Sequence, residues 1–196
     1  MISRVAALCL MTAPAWAGCP DYLSFAKGVT VKLEDGSVLS VRRDAHEVIR
    51  ADQTNATDHF ARYVIGPYGV YPTESTRNGH GAISEYSYAR TPPEPVAGMD
   101  WTSNVRAVTT LIGAAPEPQR REKVHVTVGD VQRVTIGRCA YQALEIDMGH
   151  LGGPNPTVQH FTYFPDLRFG IQTRITYPKD TVKKAAVLAL TAQERF

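Results

Sequence analysis

Along most of this chain the apolar positions recur every second residue, the period of a strand with one buried face. Val29, Val31 and Leu33 alternate with polar residues, Glu34-Asp35-Gly36 intervenes, and Leu39 and Val41 resume the alternation. A three-residue loop with Gly36 in the left-handed conformation pairs Leu33 with Ser37, Val31 with Leu39 and Val29 with Val41. The two inner pairs then share one face, whereas a two-residue Asp-Gly turn would set Val31 against Ser40 and break the stripe. Further strands are predicted near 46–51, 59–65, 70–76, 83–90, 101–112, 123–128, 131–137, 140–148, 158–164 and 168–177. Turn chemistry separates them: Gly66-Pro67-Tyr68-Gly69, Asn78-Gly79-His80-Gly81, Gly129-Asp130, Gly137-Arg138 and Pro165-Asp166. The expected fold class is all-β and mainly antiparallel: a curved sheet, open barrel or β-sandwich meander.

Helix has little room. Pro20 to Lys27, ended by Gly28, predicts a short N-terminal one. The segment 180–195 reads either as a helix capped by Asp180 or as a last strand through Val187-Leu188-Ala189-Leu190, and an edge strand completing the meander is preferred. Thr91-Pro92-Pro93-Glu94-Pro95 and Gly149 to Pro156 are too rich in proline and glycine for regular structure and are expected as loops. No internal repeat or linker interrupts residues 18–196, which are expected to form a single β-rich domain.

The N-terminus changes the picture from fold to address. Arg4 supplies one positive charge, Val5 to Ala13 is almost unbroken apolar sequence, and Ala15-Trp16-Ala17 is an A-x-A exit. Those are the three parts of a secretory signal peptide, here residues 1–17. The apolar run is too short to span a bilayer, and no later stretch approaches the length of a transmembrane segment. Export to the periplasm, or secretion, is the expectation. It leaves Cys19 and Cys139 in an oxidising compartment, where two cysteines read as one disulfide. The alternatives are two unpaired thiols, or acylation of Cys19: Ala17-Gly18-Cys19 resembles the end of a bacterial lipoprotein signal, with Trp16 where that signal carries an aliphatic residue.

Charge excludes more than it suggests. Of 21 Lys+Arg, loss of Arg4 leaves 20 against 19 Asp+Glu, a balance with no footprint for nucleic acid or an anionic membrane. The densest basic run, Arg120-Arg121-Glu122-Lys123, reads as a solvated loop. Histidines 46, 59, 80, 125, 150 and 160 are scattered, without H-x-H, H-E-x-x-H or C-x-x-C spacing, so neither a metal nor a cofactor is implied. No G-x-S-x-G elbow is present, and no catalytic residue can be assigned. Glu145 and Asp147 share a strand face as paired carboxylates in a glycosidase do, but they lack a partner across a cleft. Asn55-Ala56-Thr57 matches a glycosylation acceptor and, in a bacterial setting, reads as a polar loop.

Aromatic residues carry the remaining signal. Tyr63, Tyr68, Tyr71, Tyr86 and Tyr88 cluster before Trp101, and Tyr86 and Tyr88 share one face of a predicted strand. Such rings line ligand pockets or pack on one another inside a sheet. The segments Cys19-Pro20-Asp21, Ala26-Lys27-Gly28-Val29, Ile136-Gly137-x-Cys139-x-Tyr141 and Tyr163-Phe164-Pro165-Asp166-Leu167-x-Phe169-Gly170 resemble uncharacterised exported β-rich proteins of Gram-negative bacteria. The resemblance implies an exported β-rich domain with a Cys19–Cys139 bridge and supplies no activity. The aromatic hairpin is also similar in pattern to periplasmic half-barrel lipoprotein carriers.

The leading expectation is a non-enzymatic periplasmic binding or accessory module. It would hold an apolar or amphipathic ligand on a concave sheet lined by Tyr86, Tyr88 and Trp101. A protein-interaction subunit of an envelope assembly, using an open strand edge, is the first alternative. A hydrolase of an envelope polymer, with His80 or His150 as base, is the second.

Overall fold

The computed structural model describes residues 18–44, 48–54, 60–66, 68–77, 81–152, 156–178, 182–184 and 186–193. Residues 1–17, His46, His59, Asn55 to Thr57 and His80 lie outside them, so the signal peptide, the glycosylation acceptor and those histidines receive no structural description. A four-residue helix, α1 (Ser24–Lys27), leads into β1 (Val29–Leu33), β2 (Val38–Arg43), β3 (Ile49–Thr54), β4 (Phe60–Ile65), β5 (Pro72–Arg77) and β6 (Ala82–Tyr88). Then come β7 (Asp100–Leu111), β8 (Arg120–Ile136), β9 (Cys139–Leu151), β10 (Thr157–Phe164), β11 (Phe169–Thr176), β12 (Val182–Lys184) and β13 (Val187–Ala192). The protein is mainly antiparallel β, its strands forming one sheet curled into a half-barrel.

Sheet order follows the chain from β12 back to β1, with β13 added beyond β1. Only residues 185 and 186 separate β12 from β13 in sequence, although these are the two ends of the sheet. So short a link reaches roughly 10 Å, so the end of β12 and the start of β13 lie within that distance of each other. The first hairpin has the predicted register, Val29 opposite Val41 and Val31 opposite Leu39, with the Leu33 N–H donating to Ser37 O across the turn. The tail forms strands, but β13 crosses to pair with β1 instead of simply extending the meander.

Two cores divide the interior, and β9 serves both. Its Cys139, Tyr141 and Ala143 belong to one cluster with Phe25, Val29, Val31, Val41, Ile49, Phe164, Phe169 and Ile171. Its Leu144, Ile146 and Met148 belong to the other, with Val70, Tyr71, Trp101, Val105, Val124, Val126, Phe161 and Tyr163. The parity change at 143/144 means that opposite faces of the same strand are buried at its two ends. A bulge in β8 accommodates this: Val128 pairs with Ile146 and Val131 with Leu144, leaving Gly129-Asp130 against Glu145 alone. The predicted turn at Gly129-Asp130 is therefore a bulge within one 17-residue strand. Arg120 to Lys123 likewise open β8 instead of lying in a loop, because β7 supplies their ladder partners. Gly149 to Leu151 still belong to β9.

Local chemistry pins the segments between strands. Cys19 and Cys139 form a disulfide with Cα atoms 5.6 Å apart. Beside it the Tyr141 hydroxyl donates to Pro20 O at 3.3 Å. The Arg43 guanidinium donates to Tyr22 O at 2.9 Å and Leu167 O at 2.8 Å, and lies 3.9 Å from the Tyr22 ring centroid. The connection from Gly66 to Tyr71 crosses onto β11, where Gly170 N–H donates to Tyr68 O. Gly69 has φ +67°, and a Cβ there would sit 2.7 Å from the Phe169 ring and 2.8 Å from Gly170 N, so only glycine permits the approach.

Candidate functional site

The three residues predicted to line a concave ligand face are brought together, but against the chain itself. Tyr86, Tyr88 and Trp101 all project to the inner face of β6 and β7. Trp101 retains 8% exposure and packs edge-on to Tyr71 at 5.6 Å, while Tyr88 lies 6.0 Å from Tyr71 and 6.3 Å from Trp101. The Tyr88 hydroxyl donates to Pro72 O at 3.2 Å. Burial holds the Tyr71 and Tyr88 phenols well above the ordinary tyrosine range. Tyr86 packs on the margin of the cluster. Tyr71, at the start of the approach to β5, is the ring that Tyr88 and Trp101 pack against.

A hollow with the right mixture of walls lies elsewhere, between β9–β11 and the start of β13. It is an open depression of about 390 Å³. Val134, Ile136, Phe164, Ala186 and Val187 form its apolar side, and Glu145, His160, Thr162, Thr173 and Arg174 its polar side, with Glu34 at the rim. Register assembles the polar wall: β9 and β10 set Asp147 opposite His160 and Glu145 opposite Thr162, and β11 brings Arg174 opposite His160. His160 is 9% exposed. Its Nδ1 lies 2.6 Å from Asp147 Oδ1 and 3.0 Å from Arg174 Nη2, and its Nε2 lies 3.0 Å from Thr176 Oγ1. Nδ1 can serve one of those two partners at a time, as donor to Asp147 or acceptor from Arg174. The Thr162 hydroxyl donates to Glu145 at 3.1 Å. The hollow can thus hold an apolar body against one wall and exchange hydrogen bonds with the other.

His160 received no weight in the sequence because its partners are 13 and 14 residues away and register alone unites them. The Glu145/Asp147 pair was visible; that Glu34 lines the same hollow as Glu145 was not. His150, a candidate base, projects inward instead and contacts Glu122 at 3.2 Å, both side chains nearly buried. Its Nε2 is buried without a hydrogen-bond partner among the described residues. His125 pairs with Asp100 on the outer face at 3.0 Å. Among the described residues no cluster of His, Cys, Asp and Glu could hold a metal ion, and no helix is long and apolar enough to cross a membrane.

No family model matches this chain, nor does any curated protein or solved structure.

Proposed function

We propose that this protein is a non-enzymatic binding or accessory module of the periplasm, carrying a small amphipathic ligand in the hollow between β9–β11 and β13. The observation that carries the reading is that one hollow is lined both by the His160 centre and by the apolar Val134, Ile136, Phe164 and Val187. A ligand with one apolar end and one hydrogen-bonding end satisfies both walls, at a volume typical of small-molecule sites. The disulfide supports an oxidising compartment, and with it export. Tyr86, Tyr88 and Trp101 then act by holding the Gly66–Tyr71 crossing in place, not by touching the ligand.

The test is titration with the apolar amine dye 1-N-phenylnaphthylamine. Ala186→Trp, on the exposed rim, should fill the hollow and weaken dye binding about tenfold, the equivalent of roughly 1.4 kcal/mol. Tyr86→Ala should leave it unchanged. Equal binding by Ala186→Trp and the parent protein, with both folded by circular dichroism, would show that the hollow is not the site.

One observation favours a second reading, the envelope-interaction subunit. β7 pairs with β8 only as far as Thr127, so Val131 to Ile136 have β9 as their single ladder neighbour, and Val131 is exposed. Such an edge accepts an added strand. Specific co-purification of an envelope protein, lost on Thr135→Pro, would support it.

A further inference from the structure

The basic run at the start of β8 acquires a function from its register. Ser87, Arg106 and Arg121 stand directly opposite one another across β6, β7 and β8, and Lys123 stands opposite Asn104 one step along. The two-residue period sends Glu122, the acid inside the run, to the inner face, where it meets His150. Arg121 and Lys123 remain outside with Arg106, all three exposed. None of them makes an ion pair among the described residues. Glu85 lies on the same face two residues along β6 from Ser87, yet it forms no ion pair with Arg106. A nearly neutral chain therefore carries a local concentration of positive charge.

Like charges directly opposite on neighbouring strands destabilise a sheet. The arrangement becomes favourable when an anion bridges the cations, because charge-assisted hydrogen bonds from guanidinium groups to phosphate oxygens are short and strong. The surface here is concave: a groove of about 610 Å³ is lined by Ser87, Asn104, Arg106, Arg121, Lys123 and Leu151, and Glu122, the carboxylate paired with His150, also reaches its wall. Two guanidinium groups, one ammonium, a hydroxyl and an amide supply the donors that a phosphate group accepts from.

We propose that this groove is a phosphate-binding site, distinct from the amphipathic hollow, and that it takes the phosphate group of a small metabolite or of a lipid headgroup. Two arms distinguish the sources. In the first, inorganic phosphate is titrated into the full protein at constant ionic strength, with chloride as control. In the second, co-sedimentation is compared on vesicles of phosphatidylcholine alone and of phosphatidylcholine with phosphatidylglycerol.

The site predicts saturable phosphate binding that Arg106→Ala and Arg121→Ala each weaken about tenfold. A lipid source predicts in addition that sedimentation depends on phosphatidylglycerol and is lost in both variants. Arg121→Gln supplies a check independent of affinity. With one of the two opposed charges removed, the variant should melt higher than the parent protein in phosphate-free buffer, and that order should reverse at saturating phosphate. Absence of saturable binding in both arms, or binding that the arginine variants leave unaltered, would overturn the proposal.

Discussion

Breaking the Cys19–Cys139 bridge should destabilise this protein mainly through its unfolded state. The bond closes a segment with a sequence separation of 120. In the chain-entropy model a closed loop of that length contributes about 5 kcal/mol at 25 °C. Total stabilities of ordinary domains run from about 5 to 15 kcal/mol, so this one bond is a large share of any plausible total. The native N-terminal segment has anchors of its own. Tyr141 bonds Pro20, Arg43 bonds Tyr22, and Phe25 is fully buried against Phe169 at 4.9 Å. It should stay docked when the covalent link is gone, leaving the cost in the freedom gained by the unfolded chain. The variant to make is Cys19→Ser with Cys139→Ala, since residue 139 is 7% exposed and a serine there would bury a hydroxyl. Urea unfolding followed by the fluorescence of the buried Trp101 should show a loss of about 4–5 kcal/mol and a steeper denaturant dependence, because the unlinked chain exposes more surface. Amide exchange at residues 20–28 should remain protected. A loss under about 2 kcal/mol, or early exchange of that segment in the native protein, would refute the reasoning and assign the bridge a native-state role.

Three further outcomes follow from the packing. Phe25→Ala empties a fully buried site in the core that joins β1–β3 to β8–β11 and β13 and should cost about 3–5 kcal/mol in the same urea assay. Gly69→Ala should lower the melting temperature markedly, since overpacking alone costs about 1–3 kcal/mol and the positive φ adds to it. Tyr71, Tyr88 and Tyr163 all have phenols raised above the ordinary value of 10.0, with desolvation by burial the first cause in each. The fold favours their neutral forms, so that stability is complete below pH 10 and falls as pH rises, because the unfolded chain ionises first. The slope is about 1.4 kcal/mol per pH unit for each tyrosine. Alkaline unfolding followed by tyrosinate absorbance should therefore be cooperative, and Tyr88→Phe should make the loss of stability with pH less steep.

Local periodicity carried much of this protein in its sequence. The β1–β2 register follows from Val29, Val31, Leu39 and Val41, since any odd slip would expose their side chains. The all-β class, the short helix ended at Gly28 and the Cys19–Cys139 pairing were legible for the same reason: each depends on nearby residues or on a count. The aromatic strip was visible as well, but Tyr88 and Trp101 owe their burial to Tyr71, which a crossing segment delivers from another part of the chain. Tertiary structure decided the rest, because alternation assigns faces without saying which strands pair or in what register. That register set Asp147 and Arg174 around His160, placed Arg106 against Arg121 and turned Glu122 away from both. The bulge at Gly129-Asp130 let opposite faces of β9 serve two cores, and β13 returned to β1 across the opening of the sheet. These are long-range pairings whose energy comes from surfaces that meet only after the sheet has curled, and no window of neighbouring residues contains them.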